Sequence, residues 1–171
     1  MIKDVNNLIL WLIIIGAIIM IVVGSLLHFT YEWSGQNPIV GIFSPVNESV
    51  WEHLKLGFFS LLIFSLIEYP IVKNYVNNYW LGKAAGILCL ELMIVIIFYT
   101  YTAFTNHSIL FIDISIYIIG CIVCQIVSYK LMTCEKSFPL LEKLSLIFIL
   151  ILIALFAIFT FTPPKHEIFR S

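Results

Sequence analysis

Charge is what this sequence has least of. Only 11% of its 171 residues are Asp, Glu, Lys or Arg, against about a quarter in soluble globular domains, while 61% are hydrophobic. So few charges cannot cover a water-exposed surface, and a mean hydropathy of +1.06 marks an integral membrane protein. Neither sign is in excess. Nine Lys and Arg stand against ten Asp and Glu, a formal net charge of −1, and the lysines are scattered. No polyanion-binding field results, which argues against nucleic acid as a partner.

Cysteine is also scarce. Three of the four Cys fall within or beside apolar runs and none lies in the long polar stretch, so a disulfide scaffold is excluded. Cys121 and Cys124 form a C-x-x-C on one helix face, but no second pair lies in a loop to relay electrons, and small buried packing residues are the better reading. Internal repeats are absent, so the inverted-repeat design of many carriers is unsupported within one chain. No small-x-small site closes the apolar run that follows Lys3, which therefore reads as a retained first span rather than a signal peptide.

What the sequence has in quantity is uninterrupted apolar runs of roughly 20 residues, and in lipid such runs are helices, because every backbone group must be satisfied within its own segment. Five spans are predicted, at 8–30, 56–72, 81–104, 109–131 and 140–161, giving an all-α polytopic membrane bundle and one membrane domain over 1–171. Lys3, Lys73, Lys83, Lys130, Lys136 and Lys143 fall on the side of the N-terminus, and Lys55, Lys165 and Arg170 on the other. That balance predicts a plasma-membrane protein with a cytoplasmic N-terminus. Trp11, Trp33, Trp51 and Trp80 lie near span ends, as interfacial anchors do. The last span has no ionisable group after Lys143 and offers a packing or homo-oligomer face, with membrane lipids the other expected partner.

The polar exception is His28–Lys55, HFTYEWSGQNPIVGIFSPVNESVWEHLK, which holds two of the four His, three acids, two Trp and two Pro. Ser44-Pro45 has the composition of a helix start, a hydroxyl cap followed by Pro at the first helical position. A helix from there puts Glu48 and Glu52 four apart on one face, Lys55 three later, and Ser49 and His53 on a neighbouring face. At the end of the first span Ser25, His28 and Glu32 stack similarly. Ser34–Pro38 reads as a turn, and Ile39–Phe43 is apolar enough to dip back into the interface and bring the two ladders together. Two carboxylates at Glu48 and Glu52 repel in a low dielectric, so one should take up a proton unless a cation lies between them, and three are available: Lys55, a protonated His28 or His53, or a metal ion. His with carboxylate suits Zn or another divalent transition ion, with His28, Glu32, Glu48, Glu52 and His53 as the pool and His28, Glu48, Glu52 and His53 as the leading ligands. The plainer alternative is acids complementing a helix dipole and His and Trp at headgroup depth.

This stretch also carries a resemblance. His-Phe-x-Tyr-x-Trp, followed by Phe-Ser-Pro-x-Asn-Glu-Ser-x-Trp-Glu-His-x-Lys, resembles the signature of a family of small polytopic bacterial membrane proteins, one of the domains of unknown function. The resemblance implies membership and the membrane class; it implies no activity.

Three further acids, Glu68, Glu91 and Asp113, fall within predicted spans, where an ionisable group suggests function. Asp113 is placed near the outer cluster, Glu91 at mid-depth and Glu68 near the inner end, before Pro70, which should kink or end its helix. Together they could string acids across the membrane. The leading expectation is an interfacial, metal- or carboxylate-dependent enzyme acting on a lipid or peptide. Glu48 or Glu52 would be its base, His28 and His53 its ligands or acid/base partners, and Asn47 or Ser49 a donor, with Glu32, Lys55, Asp113 and Glu91 in support. The alternatives are a cation- or proton-coupled carrier using Glu91 and Glu68, and an accessory subunit.

Overall fold

The computed structural model describes residues 2–170, with the side chains of residues 2–6 set aside; Lys3, counted in the charge balance, lies outside the described side chains. Six helices follow one another: α1 (Ile2–Trp33), the single turn α2 (Pro38–Gly41), α3 (Val50–Val72), α4 (Tyr79–Thr105), α5 (Leu110–Met132) and α6 (Pro139–Phe161), then a 3-10 turn at Glu167–Phe169. Five of them, α1 from Asn7 and α3 to α6, are long and apolar enough to cross a membrane, and no strand occurs among the described residues. This is the polytopic helical membrane bundle that the apolar runs predict.

The second span ends at Val72, as predicted, and departs from expectation at its start. Its helix starts at Val50, capped by Ser49, rather than at Ser44-Pro45. It also runs past Pro70 to Val72, because a Pro near a helix end removes only one backbone bond. Ser44 is drawn elsewhere. Its Oγ donates to the Leu27 carbonyl (2.6 Å) and accepts the Tyr31 N–H (3.0 Å), which pins the loop to the end of α1.

Lipid supplies no hydrophobic drive between helices, so close packing of small residues holds the bundle. Gly82 and Gly86 form a small-xxx-small pair on α4 that lies directly on α5. A Cβ at Gly86 would meet the Cys124 carbonyl at 2.5 Å, and one at Gly82 the Ser128 carbonyl at 2.9 Å. Cys121 and Cys124 are free, buried packing residues in that seam. On α1, a Cβ at Gly16 would strike Phe64 and Gln125, so α1 nests between α3 and α5. Asn106, with φ 59°, ends α4 in the left-handed conformation that Asn tolerates and turns the chain tightly into α5.

At the end shared by the start of α1, the α3–α4 turn and the α5–α6 connection, polar groups are satisfied across elements. Asn78 Nδ2 donates to the Lys136 carbonyl (2.8 Å) and its Oδ1 accepts the Phe138 N–H (2.8 Å). Glu142 of α6 accepts the N–H groups of Trp80 (2.7 Å) and Leu81 (2.9 Å), capping α4 from another helix. Deeper, Glu68 pairs with Lys83 at 2.5 Å, both fully buried, and accepts the Tyr79 hydroxyl at 2.9 Å. Glu68 is therefore held inside the bundle by a residue of α4. Lys83 and Lys55 are both engaged in buried pairs and are not loop charges. Of the lysines and arginines listed by side above, five then remain on the N-terminal side, Lys3, Lys73, Lys130, Lys136 and Lys143, against Lys165 and Arg170.

Two stability measurements follow. Glu142→Ala leaves two α4 donors without acceptors and should cost about 1–2 kcal/mol, read as a lowered unfolding midpoint in detergent. Lys83→Met strands Glu68 and should cost about 3–5 kcal/mol, whereas the double variant Glu68→Leu/Lys83→Met should recover most of that loss.

Candidate metal centre

The loop between α1 and α3 is built from short-range polar turns. Asn37 accepts the Ile39 N–H (2.9 Å) and starts α2 at Pro38. Further on, Asn47 Oδ1 accepts the Ser49 N–H (2.9 Å), and Ser49 Oγ in turn accepts the Glu52 N–H (3.4 Å) at the start of α3. The turn at Asn47 and the cap at Ser49 place Glu48 outside the helix. Glu48 and Glu52 do not share a helix face, contrary to expectation.

The two carboxylates consequently go separate ways. Glu52 is buried against Lys55, with Nζ 2.5 Å from Oε2, and the same oxygen accepts the Val46 N–H (3.0 Å). Thr160 of α6 lies 3.2 Å from the other Glu52 oxygen, sharing its one proton with the Phe156 carbonyl. Lys55 uses its remaining donors on the carbonyls of Gly41 (2.8 Å) and Ser44 (3.3 Å). Every oxygen of Glu52 and all three protons of Lys55 are occupied, so both stitch the loop and neither is placed for ligation.

Glu48 goes to the histidines. His28 near the end of α1 and His53 in the first turn of α3 bring their Nε2 atoms to 3.2 Å, and Glu48 Oε2 lies 3.4 Å from His53 Nε2 and 3.9 Å from His28 Nε2. The rings are about one-third exposed and Glu48 largely exposed, so the group opens outward. His53 Nδ1 sits 2.9 Å from the Ser49 carbonyl, which can only accept. Nδ1 therefore carries the proton and Nε2 presents a lone pair toward His28 and Glu48, the backbone contact that sets the tautomer of metal-binding histidines. Zinc ligands at about 2.0–2.1 Å on tetrahedral corners stand roughly 3.3–3.4 Å apart. Two of the three edges match, and the third ends on the mobile-stemmed, exposed carboxylate. Without an ion the same contact is a hydrogen bond from His28 Nε2–H to His53 Nε2. Two His and one Glu is also the donor set of catalytic zinc sites that keep a fourth position open.

Other residues named from the sequence lie apart from this trio. Glu32 lines the adjoining groove with His28, Phe29, Val46, Asn47 and Glu48 and accepts a bond from Gln36 (3.3 Å). Asp113 accepts the Tyr101 hydroxyl (2.5 Å), which itself accepts the Ile109 N–H, so it braces the α4–α5 turn. Glu91 is 9% exposed, with one oxygen buried and unpartnered. No hydrogen bond among the described residues joins Glu68, Glu91 and Asp113 into a string. Ser49-x-x-Glu52 is the capping signal that would have placed the α3 start correctly. Thr160 and the Trp51–Phe159–Phe169 cluster, with centroids 5.0–5.5 Å apart, carry no local signal, since they meet only through the tertiary fold.

Comparison with known proteins adds two findings. The chain is 30% identical over 116 residues to heme A synthase of Ehrlichia canis, an overlap covering 58% of this chain and 32% of that enzyme, so it spans about a third of that relative's length. No solved structure matches significantly. A family model described as Family of unknown function (DUF6512) matches residues 1–171, and the polytopic chain with its His-Phe-x-Tyr-x-Trp segment belongs to that family.

Proposed function

We propose that this protein is a plasma-membrane enzyme that holds one divalent transition ion, zinc being the best fit, on His28, His53 and Glu48, and hydrolyses a membrane-borne lipid or peptide substrate at the outer face. The observation that carries the reading is the triangle of two Nε2 atoms and one carboxylate oxygen at 3.2–3.9 Å, with the His53 tautomer set by the Ser49 carbonyl. The outward placement is supported by the five-against-two charge balance, which favours the opposite end as the cytoplasmic one.

A divalent ion in such a site supplies Lewis acidity and acidifies water at neutral pH. The chain supplies the rest. His28 and His53 would hold the ion through their ring nitrogens and Glu48 through its carboxylate, of which the oxygen turned away from the rings has no hydrogen-bond partner among the described residues and could take a proton from water. Hydrolysis then adds the water oxygen to the acyl or phosphoryl centre and returns the proton to the leaving group. Glu52 is unsuited to act as the base, because Lys55 holds its charge. The name of the Ehrlichia relative is that of an enzyme, which agrees with a catalytic reading. A relay through Glu68, Glu91 and Asp113 is disfavoured because Glu68 is paired with Lys83, Asp113 with Tyr101, and no hydrogen bond among the described residues joins either to Glu91.

Elemental analysis of detergent-purified protein, stripped and then reloaded with zinc, should give about one zinc per chain. Each of His28→Ala, His53→Ala and Glu48→Ala should lower zinc affinity by more than the roughly 10–100-fold typical of losing an outer-shell partner. A wild type that retains no metal would sink the reading. Chelation should abolish hydrolysis of vesicle lipids or membrane peptides, and added zinc should restore it; activity unaffected by chelation would point to metal-free chemistry.

A further inference from the structure

We infer that the groove beside the His28/His53/Glu48 group is a subsite for the ammonium of an amine-bearing lipid headgroup, with Glu32 as the residue that selects it. The inference rests on the hydrolase reading for the meaning of the subsite, though not for its existence. The groove encloses about 250 Å³. Its ionised walls are acidic. Glu32 and Glu48 line it, and no Lys or Arg does.

The lysine closest in the chain cannot supply the missing positive charge. Lys55 is fully buried, and all three of its protons point to Glu52 and to the Gly41 and Ser44 carbonyls. An anionic group would therefore find no cation here beyond any bound ion, whereas an ammonium would find a carboxylate. With Glu48 turned toward the rings, Glu32 is the carboxylate left to the groove. Its one hydrogen-bond partner among the described residues is the neutral amide of Gln36, at 3.3 Å, which leaves its charge uncompensated.

Aromatic faces reinforce that preference. Phe29 and Trp33 flank Glu32 along α1 and stack on each other, with centroids 5.8 Å apart and planes 21° apart. Aromatic faces attract an ammonium electrostatically, and more so where water is partly excluded. The same pair argues for a lipid rather than a free amine. Phe29, Trp33 and Ile39 are 52%, 68% and 69% exposed at the end of a membrane span, which is where the headgroup layer meets the chains. A ligand entering past them comes out of the bilayer with its acyl chains left along apolar side chains.

The test is native mass spectrometry of the full-length protein after equilibration with equal amounts of phosphatidylethanolamine and phosphatidylglycerol of identical chains. Wild type should retain the ethanolamine lipid in preference, and Glu32→Gln, an exposed substitution that keeps the Gln36 contact, should lower that preference about tenfold. Glu32→Lys should invert it. Equal retention of both lipids, or a preference that survives Glu32→Gln, overturns the subsite. Displacement of the retained lipid by millimolar soluble ethanolamine would show that a free amine is the ligand and would overturn the lipid assignment. Zinc content measured on the same samples separates the two readings: lipid selectivity without zinc removes the hydrolase and keeps the subsite, while zinc without selectivity does the reverse.

Discussion

The buried contact between Lys55 and Glu52 is the constraint on which the rest of the functional end depends. A loop that dips toward lipid must satisfy its carbonyls and N–H groups from protein, because hydrocarbon offers none. Lys55 takes the carbonyls of Gly41 and Ser44, Glu52 takes the N–H of Val46, and Thr160 links the pair to α6. Four pieces of structure, α2, the loop after it, α3 and α6, thereby share one ion pair. Such a pair gains little over apolar packing in stability, but breaking one half leaves a charge in a low dielectric, which makes the arrangement specific. The fixed loop in turn fixes where Asn47 and Ser49 turn the chain, and so where Glu48 points.

That dependence explains which parts of the molecule were legible in the sequence. Span number and approximate limits follow from apolar runs of membrane length, and the helices bear them out. The meeting of α1 with the start of α3 was also readable, since His28 and His53 both belong to a stretch whose polarity had no other cause. The division of labour between Glu48 and Glu52 was not. Helical periodicity from Ser44-Pro45 puts them together, yet Ser49 outcompetes Ser44 as the cap because Asn47 has already closed a turn onto its N–H. Lys83 was misplaced for a related reason. Read in one dimension it is a loop charge, and only the packing of α3 on α4 brings Glu68 within reach. Thr160 and Phe169, more than a hundred residues from their partners at the start of α3, have no local pattern to betray them.

The two ends of the bundle use buried polarity in different ways. At the α3–α4 turn, Asn78 and Glu142 close contacts between helices, and Glu68 is paired with Lys83 in the interior, its second oxygen buried without a hydrogen-bond partner. At the His28 end one ion pair closes the scaffold while a second carboxylate is left open beside two rings. Opposite outcomes for similar residue types arise from a single difference, the presence of a loop long enough to fold back. A short turn forces its polar groups onto neighbouring helices. A longer one can satisfy itself and still leave side chains over.

The same ion pair also sets the electrostatic character of what remains open. Were Lys55 free, a mobile ammonium three residues from the N-terminal turn of α3 would neutralise Glu48 and compete with any divalent ion for it, since in a partly desolvated site opposite charges a few ångströms apart interact by several kcal/mol at roughly the dielectric of a protein surface. Held by Glu52 and two carbonyls, Lys55 has no proton left to offer. Glu48 is then compensated only by the His28 and His53 rings, which are cationic only when protonated, and Glu32 only by an amide. A site at the edge of lipid with two under-compensated carboxylates and two imidazole nitrogens has a standing affinity for positive charge, whether as a metal ion, an ammonium or both. Burial of one lysine therefore does two things at once: it completes the loop that positions the trio, and it withdraws a neighbouring cation that would have silenced it.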